Sequence, residues 1–293
     1  MIRDPEFRVP VIQICRVLGV SRATVDRHVH PSPEDARLTL VRCEARQVRD
    51  ADIFDRCVEV RKAHPLWGYR RTWANIRFRQ GIKLSLNRVH RIMREYGLLQ
   101  GSKSFKPQRP WRAKIRAVRP HQYWGTDMSK AMIPGYGWLY FVVVIDWFTK
   151  VILGLSVGMR GDTVLWLKAL NEATLNAFPA DGVRGKGVSL ISDNGSQPTS
   201  RKYMADCATL TIEQIFTTYD NPKGNADTER VIRTIKEEAL WPYEHETPLA
   251  AEAKLRATMS FYNTEYCHSS LGYLSPMEFQ EAFLNNASHA VAA

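Results

Sequence analysis

Three carboxylates carry the chemistry this sequence offers: Asp127 in WGTDMS, Asp193 in LISDNGSQ and Glu229 in NPKGNADTERVIRTIKEE. Between the first and second lie 65 residues, and between the second and third 35. Two divalent cations held about 3.5–4 Å apart need acidic ligands from several chain segments, one ion activating the attacking oxygen and the other stabilising the leaving oxygen. The spacing therefore suggests a two-metal nuclease. Each acid also has an ordinary reading: Asp193-Asn194-Gly195 as a turn, Glu229 as a helix-start acid favoured by the dipole. Asp146, closing VVVID, reads as a structural or hydrogen-bonding acid, and Asp220, Asp227, Glu237 and Glu238 read as loop or surface acids.

The elements that must position these acids lie downstream of residue 120. Segments 121–131, 138–146 and 149–157 read as strands, the first two joined by a Pro-Gly-Tyr-Gly turn. Asp162 and Thr163 open a helix, a fourth strand runs over 188–192, a helix lies near 199–208, a fifth strand near 211–216, and a last helix spans about 226–240. This order predicts an α/β fold with a mixed sheet. Asp127 lies within the first strand and Asp193 just past the fourth. If those strands are adjacent and parallel, the two carboxylates meet at one sheet edge, where α/β folds place ligands. On the last helix Ile232 and Ile235 face the core, while Glu229, Arg233 and Lys236 form a second stripe running from the metals towards a phosphate backbone.

The upstream part is helical and basic. Val11, Ile14, Cys15 and Leu18 keep helical spacing, Gly19 breaks the helix, and Ser21 caps a second one. The pattern is helix-turn-helix over 1–35, with Arg22 and Arg27 on the side that would read a major groove. A Pro-containing stretch, 30–37, separates it from a second helical module at 48–100. There Ser85 caps a helix burying Val89, Ile92, Met93 and Tyr96. Asn87, Arg88, Arg91 and Arg94 on its other face suit phosphate and base-edge contacts. Residues 101–120, with lysines, arginines, prolines and no acid, read as a linker that tracks phosphates, Phe105 and Trp111 being available to stack.

Charge divides the chain the same way. Of the net +11, residues 1–120 contribute +16 and residues 121–293 contribute −5, so the excess that would attract a polyanion lies upstream of the acids. Five cysteines without a CxxC pair argue against a disulfide framework and fit a reduced cytoplasm. No Cys/His spacing suggests zinc, leaving a hard, oxygen-bound metal. The longest apolar run, WLYFVVVI, is too short to span a bilayer, and no signal peptide is apparent, so no membrane role is expected.

At this point the chain resembles a known family. LGVSRATVDRHV, HPLWGYRR through NRVHRIMREYGLL, YWGTDMS, VVVIDWFTK, SDNGSQ, NPKGNADTERVIRTIKEE and YNTEYCHSSLGYLSPMEF are similar, in that order, to stretches of the retroviral-integrase-like (DDE) transposases of bacterial insertion sequences, specifically the downstream reading-frame product of the insertion-sequence-three group. The resemblance implies an RNase H-like catalytic domain over 121–285, with Asp127, Asp193 and Glu229 as its acid triad, binding two Mg²⁺ or Mn²⁺ ions. It implies binding to terminal inverted repeats, cleavage to a free 3′ hydroxyl and joining of that hydroxyl to target DNA. It further implies a homo-oligomer on DNA and an upstream reading-frame partner. A DNA-binding regulator of transposition, or an RNase H-like nuclease without strand transfer, are the alternatives. One departure is Tyr266-Cys267 before His268, where the family usually has Arg-Pro, which bears on how the C-terminal segment packs and whether His268 approaches DNA.

Overall fold

The computed structural model describes residues 10–29, 33–100, 116–217 and 224–291. The chain divides into two compact units, Met1–Arg56 and Cys57–Ala293. In the first, α1 (Val11–Leu18) ends at Gly19, whose φ of 63° is a left-handed cap that a side chain would strain. Ser21 then accepts the Thr24 N–H at 3.1 Å and starts α2 (Arg22–Val29), and Cys15 and Val25 are buried. Next, α3 (Pro33–Ala63) begins at a proline, which loses no hydrogen bond in a first turn. The stretch read as a separator is thus, from Pro33 onward, the start of a 31-residue helix.

In the second unit α4 (Tyr69–Ala74) passes into a π-turn, Asn75–Arg79, and is followed by α5 (Leu86–Glu95). The Ser85 hydroxyl caps α5 through the Arg88 N–H at 3.3 Å, and Val89, Ile92 and Met93 are fully buried. Tyr96 is a correction. It sits at the C-cap, outside helical geometry, and is 46% exposed rather than part of the buried stripe.

The rest of the unit is built on a five-stranded mixed sheet ordered β3-β2-β1-β4-β5. A long hairpin joins β1 (Tyr123–Ile133) to β2 (Gly137–Asp146), and β3 (Ile152–Gly158) extends it antiparallel. The short strands β4 (Ser189–Ser192) and β5 (Glu213–Phe216) run parallel to β1 on its other side. Between β3 and β4 comes α6 (Thr163–Ala177), capped by Asp162, and between β4 and β5 comes α7 (Arg201–Thr209), capped by Ser200. Trp124, Val142, Val144 and Leu190 meet the apolar sides of α6 and α7 on one face of the sheet. The continuous apolar run of β2 reflects burial on both faces.

Then α8 (Ala226–Ile235) continues through a second π-turn, Lys236–Leu240. Two further helices, α9 (Pro248–Thr264) and α10 (Pro276–Val291), follow. Asn263 of α9 gives its amide N–H to the Ile152 carbonyl and accepts the Ile152 N–H, both at 2.9 Å, so that α9 satisfies part of the free edge of β3. All five cysteines are free thiols, and burial pushes Cys57 up to about 11 and Cys207 up to about 12. Among the described residues no helix is long and apolar enough to cross a membrane.

Candidate active site

Alternation along β1 decides which side chains share a face. Gly125 and Asp127 lie on the face opposite Trp124, which packs into the α6 side of the core. Pairing of β1 with β4 matches Tyr123 to Ser189 and Gly125 to Ile191. The same offset carried two residues further sets Asp127 opposite Asp193, just beyond the last residue of β4. Adjacent parallel strands thus place two acids, 66 positions apart in the chain, side by side.

Glu229 reaches the same edge because α8 is held against β1 at unusually short range. A Cβ on Gly125 would stand 2.1 Å from the Thr228 hydroxyl and 2.2 Å from the Trp147 indole nitrogen, so only glycine lets the helix come this close. Three polar bonds fix the approach. The Asn225 amide donates to the Thr126 carbonyl at 3.1 Å, the Trp147 indole N–H donates to Thr228 Oγ1 at 3.1 Å, and Lys150 Nζ donates to Asp227 Oδ2 at 3.2 Å. These anchors flank Glu229 in the first turn of the helix. None of them was anticipated, and only the glycine inside a strand pattern signalled a close approach.

The three acids feel one another. Asp127 is half-buried, with Oδ1 accepting the Met128 N–H at 2.8 Å. Burial raises its carboxyl to about 6; the Met128 N–H opposes the rise, the charges of Asp193 and Glu229 add to it, and that of Lys236 lowers it. Asp193 is exposed and accepts the Gly195 N–H at 3.0 Å through Oδ1, so the turn expected there exists and occupies one oxygen. Glu229 is exposed. Among the described residues no three acidic, His or Cys side chains stand close enough to enclose a metal ion as they lie. The donor set nonetheless fits one: Asp127, raised first by burial, lies in the fields of Asp193 and Glu229, and such hard carboxylate oxygens are what a divalent cation would neutralise.

The other acids behave differently. Asp146 is fully buried and accepts the N–H groups of His121 (2.8 Å), Phe148 (2.7 Å) and Thr149 (3.4 Å), which ties the turn after β2 to the start of β1. Glu238 is not a surface acid: it is buried, accepting the Trp67 indole N–H and lying 2.7 Å from His64 Nδ1, partners more than 170 residues away. Nor is Glu237, which is half-buried and paired with Arg233 at 2.9 Å and Arg71 at 3.5 Å. Asp227 is held by Lys150, and Asp220 lies outside the described residues.

Of the residues expected to meet DNA, Arg22 is exposed at the start of α2, and the Arg27 side chain lies outside the described ones. On α5, Asn87 and Arg94 are exposed, Arg88 is half-buried, and Arg91 pairs with Glu95 at 3.0 Å. Arg233 is exposed beside Glu237, and Lys236 is half-buried within the field of Asp127. Residues 101–115 of the basic stretch, with Phe105 and Trp111, lie outside the described residues. Tyr266 and Cys267 are buried, and Tyr266 stacks on Tyr262 under the Arg71 guanidinium, so the departure from Arg-Pro fills a packed seam. His268 is lowered to about 4 by burial and by the charges of Lys150, Arg230 and Arg71.

With this geometry in place, comparison with known families is direct. An Integrase core domain matches residues 117–222, a second Integrase core domain matches 210–276, and an HTH-like domain matches 48–103. The chain is a transposase of the DDE superfamily. The two integrase matches together cover more than half of it. This transposase is 27% identical over 277 residues to the transposase InsD for insertion element IS2A/D/F/H/I/K of Escherichia coli, covering 91% of this chain and 89% of that one. It matches the InsD transposase for insertion element IS2-9 of Escherichia coli strain K12 at the same identity, covering 87% of that chain. Among solved structures it is similar to a chain in the simian T-cell lymphotropic virus intasome in complex with PP2A regulatory subunit B56 gamma. The TM-score is 0.50 and the identity 15%, covering 71% of this chain and 73% of that one, a likeness of fold. The match at 48–103 takes in the second half of α3 together with α4 and α5, and the integrase matches contain all three acids.

Proposed function

We propose that this transposase binds the ends of an insertion sequence, cleaves them to a free 3′ hydroxyl and joins that hydroxyl to target DNA, with Asp127, Asp193 and Glu229 as its catalytic metal ligands. The observation that carries the reading is that the β1–β4 register leads Asp127 and Asp193 to neighbouring positions while α8, pinned beside β1, holds Glu229 where its charge acts on Asp127. When bound, two Mg²⁺ or Mn²⁺ ions supply Lewis acidity at the attacking and leaving oxygens. The chain's own part is to hold three carboxylates together against their repulsion and to keep Lys236 beside Asp127, where its ammonium can engage a phosphate oxygen. Joining exchanges one phosphodiester for another: the 3′ oxygen loses its proton and bonds to phosphorus as the target's 3′ oxygen departs and gains one.

In this reading residues 1–35 and 48–100 are DNA-binding modules, with Arg22, Arg27, Asn87, Arg88, Arg91 and Arg94 on phosphates or base edges. Residues 101–120 link them to the catalytic domain at 121–285, and Arg233 extends the contact along α8. The active form is a homo-oligomer on DNA ends in the bacterial cytoplasm, with an upstream reading-frame product as partner. The test is incubation of the chain with candidate end duplexes, target DNA and Mg²⁺, with and without that partner. Joined products are expected. Nicked ends without joining would make it a nuclease, and binding without nicking a regulator.

A further inference from the structure

Beside α8 lies a groove of about 1090 Å³ contained within the second unit. Its walls come from the end of α3, from α4, from α8 with its π-turn, and from the segment 262–273. Five of its lining side chains are arginines, 61, 70, 71, 230 and 233, against one carboxylate, Glu237. That carboxylate bridges Arg71 and Arg233. Arg70 and Arg230 are exposed and have no carboxylate partner among the described residues. The Tyr262 hydroxyl, 1% exposed at the residue level, has no hydrogen-bond partner among the described residues. Trp241 on the rim is 57% exposed.

We infer that this groove receives an unpaired DNA strand next to the reacting phosphodiester, its arginines taking the phosphates and Trp241 stacking on a base. The inference rests on the reading of this chain as one that acts on DNA, and adds where a strand lies and in what form. One observation favours a single strand, and two more favour a phosphate backbone at this wall. The exposed arginines stand beside the open ring of Trp241, the combination by which proteins hold unpaired nucleotides: a ring needs an unstacked base face, which a duplex does not offer. Arg230 follows Glu229 directly, and Arg230, Thr234, Glu237 and Trp241 recur at helical spacing, so the helix that carries Glu229 also lines the groove. A strand leaving the acids has a continuous path along α8. Finally, the groove is short of negative charge: five arginines face one carboxylate, and Glu237 serves two of them at once. A phosphate would supply the missing charge.

The experiment measures binding of the full chain, in EDTA so that no chemistry occurs, to a labelled blunt duplex and to the same duplex with a short single-stranded extension at either end. The wild type is expected to prefer one extended duplex by about tenfold. Its salt dependence on that probe should be steeper by about 0.7 for each added phosphate contact. The double variant Arg70→Ala/Arg230→Ala and the single variant Trp241→Ala should each lose most of the preference while binding the blunt duplex as the wild type does. All three side chains are exposed, so thermal unfolding should be unchanged, and measuring it separates a folding defect from a lost contact. A wild type that binds blunt and extended duplexes equally overturns the inference, as does equal weakening of both probes in correctly folded variants. Binding in EDTA is independent of joining, so absence of joined products would remove the proposed reaction and leave this groove standing.

Discussion

Carboxylates are arranged in opposite ways at two places in the second unit. Along the seam where the segment 64–79 meets the second π-turn and α10, each is matched to donors. Glu238 takes Trp67 and His64, and Glu278 takes Arg79 through two bonds of 2.6 and 2.8 Å and also the Ser275 N–H at 2.7 Å. At the sheet edge, Asp127, Asp193 and Glu229 are gathered with one another and form no ion pair among the described residues. The consequence is visible in proton affinity. Glu278 is pulled down to about 2, first by its bond to Arg79, whereas Asp127 is pushed up to about 6, first by burial and further by its acidic neighbours. The seam uses negative charge to hold the fold, and the edge keeps it unneutralised and accessible. A strongly perturbed acid beside other acids, as Asp127 is here, is characteristic of functional sites.

The edge should break first, and with the largest effect. Gly125→Ala forces a methyl into Thr228 and Trp147, displacing α8 and with it Glu229. Joining is expected to fall by at least about a hundredfold, since misplacement near 1 Å has that consequence, and chemical denaturation should show a loss of about 1–3 kcal/mol from overpacking. At the seam the expected effect is on stability alone. Glu238→Ala leaves the buried Trp67 N–H and His64 without their acceptor, at about 1–3 kcal/mol in urea unfolding, with joining retained under conditions where the variant is folded.

The smallest effect sharpens the contrast through pH. The folded pKa of Glu278 lies below its ordinary value of 4.5, so its pairing contributes stability above that pH and loses it as pH falls towards 2. Its side chain is 40% exposed, so solvent screening limits the contribution to about 1 kcal/mol. The stability difference between wild type and Glu278→Gln should therefore be measurable at neutral pH and vanish near pH 2. A difference independent of pH would mean that packing, not charge, holds α10.

How much of this could be read from the chain itself depends on whether the deciding force was local. The strands carrying Asp127 and Asp193 were legible because apolar runs bounded by glycines and turn residues define them, and the helix starts at Ser85 and Asp162 because short polar side chains cap orphan N–H groups. Thr247-Pro248 carried an equally plain start signal for α9 and went unused. The adjacency of β1 and β4 stood only as a condition, since sheet order is set by packing between distant segments. Glu238 was misread because nothing beside it marks a buried acid; its partners are supplied from the other end of the unit. The same holds for Thr228 and Trp147, ordinary residues in sequence that become positioning groups only where Gly125 lets their segments meet.

The most direct measurement is strand joining by Glu229→Gln in Mg²⁺, with binding to end DNA followed in parallel. The substitution keeps the shape of an exposed side chain and removes only its charge. Joining and cleavage should both disappear while binding and thermal stability stay near those of the wild type. A Glu229→Gln protein that joins DNA at the wild-type rate would show that the acids gathered at the sheet edge are not the catalytic site.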